Sequence, residues 1–163
     1  MNNEIEHFLL KIKPVNTLFV GIGNTLKGDD GAGPILLEMI KMIPGSHEVL
    51  DAGMVPENNI GKIKSFGRKS VVFLDALDLR ADPGGVRVFS VDEIYDGNVA
   101  THSFSIGFIC DLIREDLDCD FYMIGIQPAQ MRMGEGLSPK VKDALDGITH
   151  SIAAWVVEGD KTL

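Results

Sequence analysis

The stretch TLFVGIGNTLKGDDGAGP, residues 17–34, decides the fold of this chain. It opens with TLFVGI (17–22), a continuous apolar run typical of a parallel strand that is buried on both faces. A glycine-rich loop follows, and a helix is predicted to begin near Gly33 or Pro34. Apolar residues then recur at the spacing of one helix face: Ala32, Ile35, Leu36, Met39, Ile40 and Ile43.

Four further strands are predicted downstream: EVLDAG (48–53), SVVFLDA (70–76), VRVFS (86–90) and FYMIGI (121–126). The segment VRVFS follows the breaker residues DPGG (82–85), so it can pair antiparallel at an edge of the sheet. The other strands alternate with helical segments. This alternation predicts a three-layer α/β fold, a mainly parallel sheet with helices on both faces.

Two further helices complete the predicted fold. The first lies near 103–115, and its inward side is predicted from the apolar pattern as Ser105, Phe108, Ile109, Leu112 and Ile113. The second begins at Ser138-Pro139, a good N-cap and first-turn pair. Its buried side is predicted to carry Val141, Leu145, Ile148, Ile152 and Trp155.

The length of 163 residues fits one domain, since domains typically run about 100–200 residues. We expect residues 17–158 to form the α/β unit that carries the site. Residues 1–16 are an N-terminal extension to which the sequence assigns no function.

The formal net charge of −9 argues against a nucleic-acid or anionic-membrane partner, because both require a basic surface. No apolar run reaches the roughly 20 residues that span a bilayer, and the N-terminus lacks the pattern of a signal peptide. We therefore expect a cytoplasmic protein. Cys110 and Cys119 form no Cys-x-x-Cys pair, and Cys110 falls within a predicted helix, which favours a buried thiol over a disulfide.

The glycine-rich loop matches neither common nucleotide motif. The dinucleotide fingerprint G-x-G-x-x-G would need a glycine where Leu26 stands, and the phosphate loop would need lysine and a hydroxyl residue where Asp29 and Asp30 stand. Two carboxylates near a helix N-terminus would repel a phosphate. A cation or a hydrogen-bond donor is the better guest. We assign Asp29 mainly to the turn and helix cap, which leaves Asp30 free for other work.

Acidic residues follow three of the predicted strands: Asp30 after the first, Asp51 at the second and Asp75 at the third. Ligands bind at the carboxyl ends of strands in open α/β sheets, so we expect these residues at one edge. His102 precedes a predicted helix after a loop that returns to the sheet. Two carboxylates and an imidazole, Asp30, Asp75 and His102, suit zinc, nickel, manganese or iron, and the same trio could do acid–base work.

Four segments together resemble the maturation endopeptidases of nickel-iron hydrogenases, most closely the branch that processes hydrogenase 3-type enzymes. They are GIGNTLKGDDGAGP (21–34), FLDALD (73–78), ATHSFSI (100–106) and GIQP (125–128). The resemblance implies a twisted five-stranded sheet flanked by helices. It also implies an endopeptidase that removes a C-terminal peptide from the precursor of the hydrogenase large subunit after nickel insertion.

The same resemblance implies that Asp30, Asp75 and His102 are the metal-contacting and catalytic residues. Asp51 matches a further acidic position near the cleft of the family. Nickel is the expected metal and would be supplied by the substrate, while zinc or cadmium could occupy the site as a surrogate. The protein partner is the precursor itself, and the enzyme is expected to act as a monomer.

Two questions stay open at the level of sequence. Nickel in the precursor could be a recognition handle that places the scissile bond, or a metal could polarise the carbonyl or activate water.

Two other functions are also compatible with parts of the pattern. One is a non-catalytic metal chaperone with the same ligands, and the other is a receiver-like signalling domain, which would need a lysine where Gln127-Pro128 stands.

Overall fold

The computed structural model describes residues 3–96 and 103–162. Its centre is a five-stranded sheet with the strand order β2-β1-β3-β5-β4. The strands are β1 Thr17–Ile22, β2 Glu48–Gly53, β3 Ser70–Ala76, β4 Val86–Ser90 and β5 Asp120–Ile126. Four strands are parallel, and β4 pairs antiparallel with β5 at the edge. The predicted strands and the antiparallel edge are confirmed.

Helices cover both faces of the sheet, as the sequence predicts. They are α1 Asn3–Leu9, α2 Ala32–Lys41, α3 Ile60–Phe66, α4 Ser103–Arg114 and α5 Pro139–Asp160. The core cluster on one face draws on α1, α2 and α5, and the cluster on the other face draws on α3 and α4. None of the helices in the described part of the chain is both long and apolar enough to cross a membrane.

The apolar strands supply both core clusters at once. In β1, Phe19 points to the side of α2 and α5, while Leu18 and Val20 point to the side of α3 and α4. In β3, Val72 and Phe73 alternate in the same way. Successive side chains of a strand face opposite sides of the sheet, so a strand with helices on both sides needs apolar residues throughout.

The predicted inward side of α4 is wrong at Phe108, whose side chain is 60% exposed. The buried residues are Ile106, Ile109, Cys110 and Ile113. They follow the i, i+3, i+4, i+7 spacing of one helix face, which leaves Phe108 on the far side. The predicted buried face of α5 is confirmed, although Trp155 is only partly buried.

The N-terminal extension is built into the fold. Ile5, Phe8 and Leu9 of α1 are buried in the same core cluster as α5, and the Phe8 ring meets Tyr122 of β5 at a centroid distance of 4.9 Å. The Glu4 carboxylate accepts a hydrogen bond of 2.6 Å from the Val88 N–H of β4. The extension therefore covers part of an edge strand, where backbone groups would otherwise lack partners.

The strand order places the carboxyl ends of β1 and β3 side by side. After β1 the chain runs through α2 to β2 on one side, and after α3 it returns to β3 on the other side. Gly33 lets α2 come close to both strands, because a Cβ atom there would lie 2.3 Å from the carbonyl oxygens of Ile22 and Leu74. Such a reversal of strand order opens a crevice at the carboxyl ends of the strands.

Candidate active site

A cleft with a volume of about 690 Å³ lies at this crevice. Its lining includes two of the predicted site residues, Asp30 and Asp75, which the structure therefore brings together. The lining also includes the polar side chains of Lys27, Glu57, Asp78 and Gln127. The cleft therefore combines several carboxylates with one lysine.

Asp75 is the most deeply placed acidic group of the cleft. It is the penultimate residue of β3, stands in register with Gly125 of β5, and is only 7% exposed. Burial and, second to it, the nearby charge of Asp30 together raise the pKa of Asp75 to about 8, and a hydrogen bond from the Ala76 N–H acts in the opposite direction. In the free protein near neutral pH, Asp75 is mostly a protonated carboxylic acid.

Asp30 lies on a short 3-10 turn, Gly28–Gly31, between β1 and α2, and is half-buried. Its backbone is fixed by two hydrogen bonds, from its N–H to the Lys27 carbonyl and from the Asn24 N–H to its own carbonyl. Gly23 makes the turn possible, because it has a φ of +143° and a Cβ atom there would lie 2.0 Å from the Asp30 oxygen.

The Asp30–Asp75 pair supports two kinds of chemistry. Asp75 can hold a proton and pass it on, because burial and the charge of Asp30 favour its protonated form. When both are ionised they offer oxygen ligands to a divalent cation. Within residues 3–96 and 103–162, no three His, Cys, Asp or Glu side chains cluster closely enough to hold a metal ion on their own.

The third predicted site residue, His102, lies outside the described residues. Asp51 is exposed, its Oδ1 accepts a hydrogen bond of 2.8 Å from the Gly53 N–H, and it does not line the cleft. The expectation that Asp51 would join Asp30 and Asp75 at the site is therefore not met by its side chain.

The cysteines do not supply a nucleophile. Both are free and buried, as expected for Cys110. Burial raises the pKa of the Cys110 thiol far above its usual range and that of Cys119 to about 11. The thiolate is the reactive form of cysteine, so both side chains are inert near neutral pH.

Asp29 is not the helix cap that the sequence suggests. It is fully buried, and its carboxylate accepts hydrogen bonds from the N–H groups of Ala129, Gln130 and Ser138 and from the Ser138 hydroxyl. Burial works to raise the pKa of Asp29, but these four bonds outweigh it and hold the pKa below its ordinary value. The Ser138 hydroxyl is used here too, so Ser138 stands at the N-cap of α5 without a side-chain capping bond.

Gln127 is a cleft residue to which the sequence analysis assigned no role beyond its place in the GIQP segment (125–128). Its Oε1 accepts hydrogen bonds of 2.6 Å from the Leu79 N–H and 3.3 Å from the Ala81 N–H. It thereby holds the loop that follows β3 and carries Asp78. Its place directly after β5 is the signal that could have identified it, because side chains at the carboxyl ends of parallel strands face the ligand crevice.

Comparison with known proteins identifies one family. The model of the HycI family, described as hydrogenase maturation protease, matches residues 36–155. The hydrogenase 3 maturation protease of Escherichia coli K12 is 31% identical over 140 residues, which cover 85% of this chain and 89% of that protein.

Solved structures agree with the sequence comparison. The crystal structure of a [NiFe] hydrogenase maturation protease HycI from Thermococcus kodakarensis superposes with a TM-score of 0.82 at 27% identity, covering 94% of this chain and 98% of the other. The solution structure of an endopeptidase HycI from Escherichia coli gives a TM-score of 0.74 at 27% identity, with 86% and 90% covered.

Proposed function

The chain belongs to the HycI family of hydrogenase maturation proteases, and we propose that it removes the C-terminal peptide from the precursor of a nickel-iron hydrogenase large subunit after nickel insertion. The chain is a peptidase. The observation that carries the substrate proposal is the pairing of buried Asp75 with Asp30 in a cleft at the carboxyl ends of β1 and β3.

We propose that the enzyme recognises the precursor through the nickel ion that the precursor carries. Asp30, Asp75 and His102 would hold this ion. Carboxylate and imidazole donors suit nickel. The protonation of Asp75 favours temporary binding of a metal ion that arrives with the substrate, rather than a metal ion held permanently by the free enzyme. A cation would have to displace the proton of a group whose pKa is about 8. Contact with the ion would fix the position of the scissile bond in the cleft.

Peptide hydrolysis also needs proton transfers, and we assign them to the same carboxylates. A carboxylate oxygen of Asp30 or Asp75 that does not bind the ion takes a proton from the attacking water, and the water oxygen bonds to the carbonyl carbon. The proton then passes to the leaving nitrogen as the C–N bond breaks, so the enzyme ends in its starting state. This is an aspartyl-type mechanism, and the inert cysteine thiols support it.

We further propose that the protein works as a monomer in the cytoplasm. Its two cysteines are buried and unpaired, which fits a reducing compartment. Sedimentation of the purified protein tests the monomer, and fractionation of cells tests the compartment.

The test of function is a paired cleavage assay on nickel-loaded and nickel-free precursor, read by the mass of the product. The proposal expects loss of a C-terminal peptide from the loaded form and an intact empty form. A difference of about 4 kcal/mol in the free energy of productive binding between the loaded and the empty precursor would give roughly a thousandfold preference for the loaded form. Equal rates on the two forms would end the role of nickel as a handle, and an intact loaded precursor would end the peptidase assignment for this substrate. A precursor that is bound and released uncut would indicate a metal chaperone instead.

A further inference from the structure

The segment 128–138, called the wall below, connects β5 to α5. It reaches the cleft through Pro128 and Met131. Apart from an isolated bridge between Met133 and Lys27, it contains no strand or helix. A wall without regular structure depends on specific contacts to keep its shape.

The carboxylate of Asp29 accepts four hydrogen bonds from this segment. Oδ2 accepts hydrogen bonds from the N–H groups of Ala129 at 2.8 Å and Gln130 at 3.2 Å, and from the hydroxyl of Ser138 at 2.8 Å. Oδ1 accepts a bond from the Ser138 N–H at 2.7 Å. One side chain therefore joins the beginning and the end of the wall, and hydrogen bonds to a charged acceptor are stronger than neutral ones.

Backbone contacts bring the wall against the turn that contains Asp29. The N–H groups of Gly28 and Asp29 donate to the carbonyls of Glu135 and Gln130, and the Gly134 N–H donates to the Leu26 carbonyl. Gly28 has a φ of +55°, and a Cβ atom there would lie 2.3 Å from the side-chain oxygen of Gln130. The wall is therefore in direct contact with the turn.

We propose that Asp29 is a positioning residue for substrate binding, which fixes the wall of residues 128–138 so that the precursor peptide meets Pro128 and Met131 beside the Asp30–Asp75 pair. This inference rests on the proposed function. Asp30 keeps two backbone bonds of its own to Lys27 and Asn24, and these do not involve the Asp29 carboxylate. Loss of that carboxylate should therefore loosen the wall and leave Asp30 in place.

The test is steady-state cleavage of nickel-loaded precursor by Asp29→Asn. An amide can still accept from some of the donors, but its NH₂ group faces another donor. A looser wall weakens binding of the ground state and the transition state alike, so KM should rise about tenfold while kcat changes by less than about threefold. Simple loss of folded protein would instead lower kcat and leave KM unchanged.

Thr17→Val is the matched control. Thr17 is fully buried, and its hydroxyl donates to the Lys13 carbonyl at 2.7 Å at the amino end of β1, far from the cleft. The control should lose stability with KM unchanged. An Asp29→Asn enzyme with unchanged KM would overturn the proposal.

Amide hydrogen exchange on the same variants provides a readout that needs no substrate. Asp29→Asn should speed exchange at Ala129, Gln130 and Ser138 by a larger factor than at the amides of the sheet, which are accelerated only by the loss of global stability. Acceleration by the same factor in the segment and in the sheet, as expected for Thr17→Val, would overturn the positioning role. Wild-type enzyme that leaves the loaded precursor intact would overturn the proposed function, and exchange would then decide alone whether Asp29 fastens the wall.

Should Asp29→Asn fail to fold, Ser138→Ala takes its place. This change removes only the hydroxyl bond to Asp29 and keeps the Ser138 N–H bond. Its KM should rise about threefold, since one of four hydrogen bonds is lost. An unchanged KM in a folded Ser138→Ala enzyme would count against the proposal in the same way.

Discussion

Asp29 and Asp75 are two buried aspartates in neighbouring parts of the molecule, and their surroundings give them opposite properties. Four donors surround the carboxylate of Asp29 and lower its pKa, whereas in the described part of the chain Asp75 receives one backbone hydrogen bond, and burial together with the charge of Asp30 raises its pKa to about 8. Burial alone therefore does not decide whether a carboxylate is structural or reactive. The number of donors decides, because each hydrogen bond to the charged form offsets part of the desolvation cost.

The largest expected effect comes from removing the reactive member of this comparison. Asp75→Asn keeps the shape of the side chain but can neither transfer a proton nor bind a cation as a carboxylate. Processing of nickel-loaded precursor should fall by about a thousandfold or more, within the range that proton transfer by one side chain contributes. The measurement is the initial rate of peptide release.

Asp120→Asn is the control for that substitution. Asp120 is an exposed aspartate at the opposite, amino end of β5, so its neutralisation should leave processing unchanged. Retained turnover in Asp75→Asn would contradict the role of Asp75.

Removing the structural member should affect stability first. Asp29→Asn leaves buried donors without an acceptor, so the free energy of unfolding at pH 7 should fall by about 3 kcal/mol. Because the pKa of Asp29 is lowered by folding, its stabilising effect is present above the ordinary value of 3.8 and is lost as the pH falls through the lower, folded-state pKa.

The difference between wild type and Asp29→Asn in urea unfolding should therefore shrink in acid. A difference that stays constant from pH 7 into that acidic range would show that the ionised carboxylate is not the source of the stabilisation.

Asp75 should influence stability with the opposite pH dependence. Its folded-state pKa is raised from 3.8 to about 8, so the protonated group favours the folded state at low pH, and this contribution is lost as the pH rises between those values. The melting temperature of Asp75→Asn, relative to that of wild type, should rise as the pH increases across this range and should stay constant above it. Parallel melting curves for the two proteins from pH 4 to pH 8 would argue against a raised pKa.

A smaller effect on stability should follow from removing the hydrogen bonds by which Gln127 holds the loop after β3. Gln127→Met has a similar length but leaves the Leu79 and Ala81 N–H groups without their acceptor, and should cost about 1–2 kcal/mol of stability. Gln127→Glu keeps an acceptor oxygen and should cost less in a chemical denaturation experiment. The reverse order would mean that the oxygen of Gln127 does not hold the loop.

The sequence was sufficient to predict the features that depend on local pattern. A continuous apolar run identified β1 as a strand buried on both faces, and the breaker residues before VRVFS indicated an edge. Asp30 and Asp75 could be placed together because both follow neighbouring parallel strands, and the ends of such strands share an edge.

Features that depend on distant contacts were not predictable in this way. The partners of the Asp29 carboxylate lie 100 to 109 residues away in a segment without periodicity, so its spacing suggested a cap. The docking of α1 against α5 and β4 is of the same kind. The short helix α3 was not predicted, because only one of its seven residues, Ile63, is buried, and this leaves little amphipathic pattern.

The most direct test of the contrast between the two aspartates is an NMR titration of their side-chain carboxyl carbons in the free wild-type protein. We expect Asp75 to titrate near pH 8 and Asp29 below the ordinary value of 3.8. The Asp75→Asn and Asp29→Asn proteins assign the two resonances. Titration of Asp75 at or below 3.8 would be the opposite result, because it would show that burial beside Asp30 does not hold the proton on the proposed catalytic group.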